Sequence, residues 1–274
     1  MNCPVCSSLS ILGNNHPEVE LYRCTRCGHR FSRLKPGIPL EPYDAAYFEQ
    51  THRNWFTNPN LVLFEQIARL IKSEPAPGSV IDVGCGNGNF LRYLAARTKC
   101  EITLTGIDLM ANPPEPGIEY IQGDALSVSL AQRFSVAVSL AAIEHVQDIR
   151  AFAGRLKALV KPGGLVIVMT LNDNSILYVA ARALRRIGFA LPFDRLYSRH
   201  HIHHFSRLSL RRLLESEGLQ LKAVILHNAP LAAIDIPVSS RPAAMLLRLG
   251  VGLLFVLGSL SRRTYLQTVV CRRA

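Results

Sequence analysis

The chain has 274 residues, of which 49% are hydrophobic and 19% are charged. This length can bury one good core with extensions, and this composition excludes disorder as the default expectation. Met1 runs directly into Cys3-Pro4-Val5-Cys6, without the basic start and apolar core of a signal peptide, so we expect a cytoplasmic location.

The net charge of +11 is unevenly distributed along the chain. Residues 1–180 hold 16 bases and 16 acids, whereas residues 181–274 hold 15 bases and 4 acids. A nucleic-acid enzyme would spread basic charge over its substrate face, but here the charge is gathered around the most apolar part of the chain. This pairing favours an anionic lipid surface or an anionic substrate.

Two Cys-x-x-Cys pairs near the N-terminus have the spacing of a zinc ribbon. The pairs are Cys3 with Cys6 and Cys24 with Cys27, and 17 residues lie between Cys6 and Cys24. Four thiolates are the ligands that structural Zn²⁺ prefers. About 35 residues cannot form a core without such a metal. We expect a structural site over residues 1–35, formed by two short hairpins with the turn between them at 14–17, and with Tyr22 and Phe31 beside the metal.

Paired disulfides are the alternative for these four cysteines, and a cytoplasmic chain disfavours them. The other cysteines are scattered, and we interpret them as buried small residues. They are Cys85, Cys100 and Cys271.

Residues 35–42 carry three prolines and a glycine, which indicate a linker. The next periodic segment, residues 61–72, places Leu61, Phe64, Ala68 and Ile71 on one side of a predicted helix. Prolines and a glycine at 75–78 end it.

Residues 80–90 predict a strand, a tight turn and a helix. An apolar run from Val80 to Val83 leads into Gly84, Gly86 and Gly88, and a helical apolar pattern follows. Glycines at such a turn serve positive φ angles or the close approach of a ligand. A dinucleotide site would place its third glycine at position 89, which is Asn here.

Four further strands follow in chain order. The predicted strand before Asp108 ends in a carboxylate that can accept hydrogen bonds from both hydroxyls of a ribose. A short strand at 118–121 precedes Gly123-Asp124-Ala125, and the strand at 134–139 leads into Ala141-Ala142-Ile143-Glu144-His145. The fifth strand, residues 165–171, follows Lys161-Pro162-Gly163-Gly164.

In this order these features resemble the class I S-adenosylmethionine-dependent methyltransferases, whose motif I is matched by Val-Ile-Asp-Val-Gly-Cys-Gly-Asn-Gly at 80–88. The resemblance implies an α/β fold with a seven-stranded Rossmann-like sheet. It also implies S-adenosylmethionine as cofactor, with Asp124 beside the adenine. The expected cofactor-binding residues are Asp82, Gly84, Cys85, Gly86, Asp108, Leu109, Asp124 and Ala125.

The segment 43–49 resembles the family's Tyr-x-x-x-Tyr-Phe lid, in which Tyr47 would contact the methionine part of the cofactor or serve as ordinary packing. We therefore expect a linker with lid helices over residues 36–78 and a methyltransferase domain over 79–274.

An acceptor-side insertion is expected at 175–205, with an extra helix at 175–186 and a loop rich in Arg and His at 192–204. Insertions here lie above the edge of the sheet at which open α/β folds bind ligands. The expected acceptor-side residues are Arg199, His201, His203 and His204, for which metal binding is the alternative. The following helix resembles the family's His-x-x-Phe-Ser segment, with Ser206 as N-cap and Gly218 at its end.

Residues 229–264 form an apolar insertion between the last two predicted strands, which cover 220–226 and 265–271. Its core, 243–260, has one central arginine, and a spanning helix would separate the last strand from its sheet, so we reject a transmembrane helix. Two interpretations remain. We favour a helix buried against the domain or a dimer partner over a helix at a membrane interface, with contact through 243–263.

His145 is the candidate general base, because an imidazole suits proton removal near neutral pH; the alternative is that it only shapes the pocket. Related quinone-pathway O-methyltransferases read Glu-x-x-Glu-His here and can hold a metal, but the first acid is Ala141 in this chain. No Asn-Pro-Pro-Tyr or Asp-Pro-Pro-Tyr follows the fourth strand, which favours oxygen over nitrogen as the target.

Three functions remain open at this point. The first is O-methylation of a small-molecule or glycan acceptor, which the basic and apolar C-terminal third suggests is lipid-linked. The second is methylation of ribosomal RNA, because a zinc ribbon ahead of this domain resembles the ribosomal RNA guanine methyltransferases; the neutral first 180 residues disfavour it. The third is a non-catalytic adaptor that binds the cofactor.

Overall fold

A computed structural model describes residues 1–39, 53–75, 78–98, 102–236 and 240–274. Tyr47, Cys100 and the whole of the predicted lid segment 43–49 lie outside these residues. Within them the fold is the predicted α/β architecture, in which a seven-stranded sheet carries helices on both faces. A second, four-stranded sheet is built mainly from the N-terminal residues.

The strands of the large sheet are β4 (Ser79–Val83), β5 (Thr103–Asp108), β6 (Ile118–Gln122), β7 (Phe134–Leu140), β8 (Val160–Leu171), β10 (Leu219–His227) and β11 (Leu266–Arg273). Their order across the sheet is β10-β11-β8-β7-β4-β5-β6. The first five strands in the chain pair in parallel, whereas β11 runs antiparallel to both of its neighbours, β10 and β8. All seven predicted strands are confirmed, although β8 begins earlier than expected, ahead of its Pro-Gly-Gly sequence.

Two apolar layers cover this sheet, because successive side chains of a strand point to opposite faces. In β4, Val80 packs with one layer and Ile81 with the other. The helices are α1 (Arg53–Thr57), α2 (Leu61–Lys72), α3 (Asn89–Thr98), α4 (Ile149–Leu159), α5 (Ile176–Arg186), α6 (Leu191–Leu196), α7 (Arg207–Ser216) and α8 (Arg241–Leu260). The first layer includes α2 and α3, and the second includes α4 and α7.

The small sheet consists of β1 (Ser10–Asn15), β2 (Val19–Cys24), β3 (Arg30–Leu34) and β9 (His203–His204). Strands β1 and β2 form one hairpin and β2 and β3 the next, so residues 16–18 turn within a hairpin and not between two hairpins as predicted. Tyr22 and Phe31 stack on each other with ring centroids 5.5 Å apart. The prediction that 192–204 is a loop was wrong, because this segment forms α6 and then β9, which pairs with β3. Through that pairing the ribbon shares a sheet with the acceptor-side insertion.

The residues predicted at the two ends of α7 lie there in the structure. Ser206 caps α7 by accepting a hydrogen bond from the Ser209 amide at 3.2 Å, and the Ser209 hydroxyl lies 2.9 Å from the Ser206 amide in return. Gly218 follows the helix with a φ of +79°, the left-handed conformation expected after a helix end.

The favoured interpretation of 243–260 had two forms, of which burial against its own domain was wrong and burial against a dimer partner stays a prediction. Only Phe255 and Gly258 of α8 are buried, and most of its leucines are exposed. By length and composition α8 could cross a membrane, with a mean hydropathy of 2.0 and 11% of its most apolar window buried. Hydropathy alone does not say what covers an apolar helix, which is why the sequence misled here.

A buried carboxylate just beyond β8 joins three distant parts of the chain. Asp173 accepts hydrogen bonds from Arg30 on β3, from Tyr197 after α6, and from Arg182 on α5, whose Nη1 lies 3.1 Å from Asp173 Oδ1. The side chain of Asp173 is 1% exposed and each arginine is 15% exposed. This one carboxylate and its partners therefore fix the ribbon and the insertion to the sheet.

The substitution Asp173→Asn should lower the free energy of unfolding by about 3 kcal/mol or more, because it leaves two largely buried arginines without their counter-charge. Urea unfolding measures this change. The matched control is Glu215→Gln, which removes an acid from the exposed Arg211–Glu215 pair and should cost less than about 0.5 kcal/mol. Equal effects of the two substitutions would contradict the assigned role of Asp173.

Candidate functional site

The glycine turn between β4 and α3 has the backbone conformation that the sequence predicted. Gly84 and Gly88 have φ angles of +74° and +78°, which side chains rarely adopt. A Cβ on Gly84 would lie 2.6 Å from the Ala142 Cβ, and one on Gly88 would lie 2.1 Å from the Tyr120 hydroxyl oxygen. The turn is therefore a backbone surface on which no side chain fits.

Asp82, the last but one residue of β4, lies buried beneath this turn. Asp82 is only 2% exposed, and its Oδ1 has no hydrogen-bond partner among the described residues. Burial, and then the nearby Asp108 carboxylate, raise the pKa of Asp82 to about 8. An orphaned carboxylate under a bare backbone turn fits a cationic ligand, and S-adenosylmethionine carries a sulfonium and an ammonium group.

Asp108 ends the neighbouring strand β5 and contacts the turn directly. Its Oδ2 accepts a hydrogen bond from the Gly86 amide at 2.8 Å, and its Oδ1 accepts one from the Met110 amide at 3.0 Å. Burial raises the pKa of Asp108. Asn112, which the sequence analysis missed, donates to the Gly86 carbonyl at 2.7 Å, and no sequence pattern marks it.

The third predicted carboxylate lies at the end of β6, the next strand along. Because β4, β5 and β6 are parallel neighbours, all three strand ends meet at one edge of the sheet. Asp124 is exposed there and accepts a hydrogen bond from the Leu126 amide at 2.9 Å. Leu109 is exposed and Ala125 half-buried on the same edge, so the adenine role of this group stays a prediction.

A cavity of about 480 Å³ opens from the glycine turn toward the acceptor-side insertion. At one end it is lined by Asp82, Gly84, Cys85 and Gly86, and at the other by residues of α6 and of the segment 198–201. Trp55 and Phe56 of α1 also line it, and the Phe56 carbonyl accepts a hydrogen bond from Asn89 at 2.7 Å. The described part of the predicted lid region therefore covers the cavity.

His145 and Glu144 line the cavity between these two ends. The His145 Nδ1 lies 2.7 Å from the carbonyl oxygen of His200, and because a carbonyl can only accept, Nδ1 carries the proton. The lone pair of the neutral ring is then on Nε2. Glu144 is buried, its Oε2 has no hydrogen-bond partner among the described residues, and burial raises its pKa to about 7.

Two of the four expected acceptor-side residues line the cavity. Arg199 does so, with its Nη1 3.6 Å from Oε1 of Glu18, and His201 does so with its ring centroid 5.0 Å from that of His145. Glu18 belongs to the turn between β1 and β2, so the ribbon supplies part of the cavity wall. Sequence analysis missed Glu18 because its distance from the rest of the site in sequence gives no signal.

The assignment of His203 and His204 to the acceptor side was wrong. Both are buried in β9, where the His203 Nδ1 lies 3.2 Å from the His29 Nε2 and the His204 Nε2 lies 2.9 Å from the Ser32 hydroxyl. Burial lowers the pKa of His203 to about 4 and also lowers that of His204, which keeps both rings neutral. They join the ribbon to the insertion.

The cavity is also lined by polar side chains that the sequence analysis did not select. They are Arg195, His200, Asp235 and Tyr265. Asp235 accepts a hydrogen bond from Asn54 at 2.6 Å, and burial raises its pKa. The cavity therefore offers both charged and hydrogen-bonding groups to an acceptor.

The four ribbon cysteines form a group suited to one metal ion. They are free thiols, and all four sulfur atoms lie within 4.8 Å of one another. The Cys3–Cys27 and Cys6–Cys24 sulfur pairs are 3.6 Å and 3.4 Å apart, close to the ~3.8 Å that a tetrahedron with Zn–S bonds of about 2.3 Å requires. Burial raises the pKa of Cys27 to about 11, and a bound cation would offset that penalty. The ribbon could hold Zn²⁺ with no open position for catalysis.

The family described as Methyltransferase domain matches residues 47–224 of this chain. A ubiquinone biosynthesis O-methyltransferase of Rhodopseudomonas palustris strain BisA53 is 30% identical over 165 residues, which cover 51% of this chain and 65% of that protein. One of Bradyrhizobium sp. strain ORS 278 is 27% identical over 172 residues, covering 52% and 67%. The chain thus spans about two thirds of the length of these relatives.

Solved structures show the same fold at low sequence identity. The 1,6-didemethyltoxoflavin-N1-methyltransferase of Burkholderia thailandensis, with bound S-adenosylhomocysteine, has a TM-score of 0.56 at 14% identity, covering 94% of this chain and 99% of that one. An S-adenosylmethionine-dependent methyltransferase of Archaeoglobus fulgidus has a TM-score of 0.51 at 16% identity, covering 84% and 100%.

The substitution Asp82→Asn should weaken S-adenosylmethionine binding about 10- to 100-fold, since a hydrogen bond to a charged group contributes about 1.5–3 kcal/mol. Isothermal titration measures the affinity, with Glu215→Gln on exposed α7 as the control that should bind normally. Unchanged affinity of the Asp82 variant would contradict the fit of this carboxylate to a cation.

Asp82→Asn should weaken cofactor binding, but it should raise the stability of the ligand-free fold relative to the wild type at higher pH. The pKa of Asp82 is raised above its unfolded value, so the folded protein holds an extra proton and loses stability as the pH rises toward about 8. The variant has no such proton to lose. Thermal unfolding should therefore show the variant gaining on the ligand-free wild type from about pH 4, the unfolded pKa, up to about pH 8, with no further gain above that pH.

Proposed function

Because the chain belongs to the methyltransferase-domain family and is an S-adenosylmethionine-dependent methyltransferase, we propose that it methylates a hydroxyl oxygen of a small-molecule or glycan acceptor. The observation that carries the proposal is His145, fixed as a proton acceptor in the cavity that also contains the glycine turn. The relatives described above are O-methyltransferases by name, which supports oxygen as the target.

The size of the cavity supports a small acceptor. A volume of about 480 Å³ lies in the range of ligand pockets, roughly 300–1,000 Å³. The cavity wall includes Arg195, Arg199 and Asp235, which suit an acceptor with several polar groups, and Glu18 of the ribbon also lines it.

The proposed chemistry asks little of the protein beyond alignment and removal of one proton. S-adenosylmethionine supplies a methyl group that its sulfonium has already activated. As the acceptor oxygen bonds to the methyl carbon, the hydroxyl proton passes to the His145 Nε2, whose basic tautomer the His200 carbonyl fixes through Nδ1. Glu144, the residue before His145, lines the same cavity, and in this proposal its ionised carboxylate supports the imidazolium charge.

The alternative function, methylation of ribosomal RNA, is based on the ribbon ahead of the domain. The contacts of the ribbon favour the small-molecule or glycan acceptor instead. In this fold the ribbon buries His29 and Ser32 against the insertion and directs Glu18 into the cavity. An acid at that position suits a small acceptor better than a phosphate backbone.

Incubation with methyl-labelled S-adenosylmethionine and a fractionated cell extract tests the function. We expect label in the small-molecule or glycan fraction, in an alkali-stable form, because a methyl ether resists alkali whereas a methyl ester does not. Asp82→Asn is the negative control. Label in ribosomal RNA, or on nitrogen, would overturn the proposal.

His145→Gln should lower kcat about 100-fold or more, the usual size of a general-base contribution, without changing S-adenosylmethionine affinity. Glu144→Gln should lower kcat less than about 10-fold, since it removes only a supporting charge. Steady-state kinetics over the pH range, with titration of the cofactor, separates the two residues. A larger loss for Glu144→Gln than for His145→Gln would transfer the base role to Glu144.

A further inference from the structure

Helix α8 carries an apolar face that the rest of the described chain does not cover. Leucines recur along it at three- and four-residue spacing, so they lie on one side of the helix. These are Leu246, Leu249, Leu253, Leu257 and Leu260, which are between 44% and 79% exposed. The buried Phe255 and Gly258 face the domain instead. Soluble monomers rarely expose so large a contiguous apolar surface without a function for it.

The segment after α5 adds to this apolar surface. Helix α5 packs against α8, and the chain that follows it exposes Ile187, Phe189 and Leu191 to fractions of 80%, 60% and 49%. We refer to the exposed apolar side chains of α8 and of residues 187–191 as the α5–α8 surface.

The charges around the α5–α8 surface have one sign. Residues 174–193 and 241–263 contain no Asp or Glu. They contain seven arginines, of which Arg182 is paired with Asp173. The other six are Arg185, Arg186, Arg241, Arg248, Arg262 and Arg263. The nearest other acids along the chain, Asp194 and Asp235, line the cavity. An apolar face whose own segments carry only arginines is complementary to an anionic lipid surface.

Contacts at the C-terminal half of α8 hold the helix along the domain. Asn228, at the end of β10, donates to the Phe255 carbonyl and to the Ser259 hydroxyl, both at 3.1 Å. A Cβ on Gly258 would lie 2.9 Å from the Arg263 carbonyl oxygen, so the chain turns back tightly toward β11. A spanning orientation would have to break these contacts.

We propose that the α5–α8 surface docks on an anionic lipid bilayer, with α8 lying in the plane of the membrane interface. A second copy of this chain is disfavoured as the occupant, because a two-fold interface would bring the same arginines together without an acid in either segment. A bilayer with anionic headgroups supplies both the apolar interior and the opposite charge.

Docking would place the cavity near the membrane. Leu231 contacts α8 at Gly252, and the same short turn carries Ala233, which lines the cavity together with Pro230 and Ile234. The inference does not depend on the identity of the acceptor, because vesicle binding is measured without turnover.

Flotation of the full chain with vesicles tests the proposal. We expect binding to phosphatidylcholine vesicles that contain phosphatidylglycerol, weaker binding to phosphatidylcholine alone, and a loss of binding with rising salt. The double substitution Leu249→Glu, Leu253→Glu should weaken binding about 100-fold or more, since two leucines no longer enter the apolar layer. Arg186→Glu with Arg248→Glu should weaken binding to the anionic vesicles about 30-fold or more.

The matched control is Leu208→Glu, at an exposed leucine of α7 outside this surface, which should float like the wild type. Normal S-adenosylmethionine affinity of every variant shows that the fold is intact. Absence of wild-type flotation, or flotation unaffected by the leucine pair, would overturn the proposal. So would a dimer in sedimentation that this pair dissociates without vesicle binding, or wild-type protein that resists carbonate extraction as a spanning helix does.

Discussion

The arrangement of this protein depends on one buried charge, the carboxylate of Asp173. A carboxylate at that depth is stable only if it is paired and hydrogen-bonded, and its partners come from β3, α5 and the residue after α6. Satisfying it therefore brings the ribbon and the insertion together over the edge of the sheet where the glycine turn lies. The cavity wall that contains Glu18 and Arg199 is a consequence of that convergence.

The parts of the fold that local physics dictates could be predicted from the sequence. Positive φ at Gly84 and Gly88 requires glycine, so the glycines indicated the turn, and the buried strand before it, β4, showed as a mainly apolar run. The cysteine spacing likewise fixed the ribbon, because two knuckles are the local unit of such a site. Asp108 could be placed at the site because it ends a predicted strand of the same parallel sheet.

What depends on long-range pairing could not be predicted. His201 lines the cavity while His203 and His204 do not, and the difference arises from the register of β9 against β3, in which Phe31 pairs with His203. A pattern of histidines in one segment carries no information about a strand 170 residues earlier. Glu144 was passed over for a related reason, because its near-neutral pKa comes from burial in the assembled site.

The position of β11 has a consequence for how the sheet is completed. This strand lies inside the sheet, between β10 and β8, yet it follows α8 in the chain. Because β10 pairs with β11 and not with β8, β10 joins the sheet only once β11 has paired with β8. Placing α8 along the domain and closing the sheet therefore belong to the same late step of folding, after the five parallel strands have found their order.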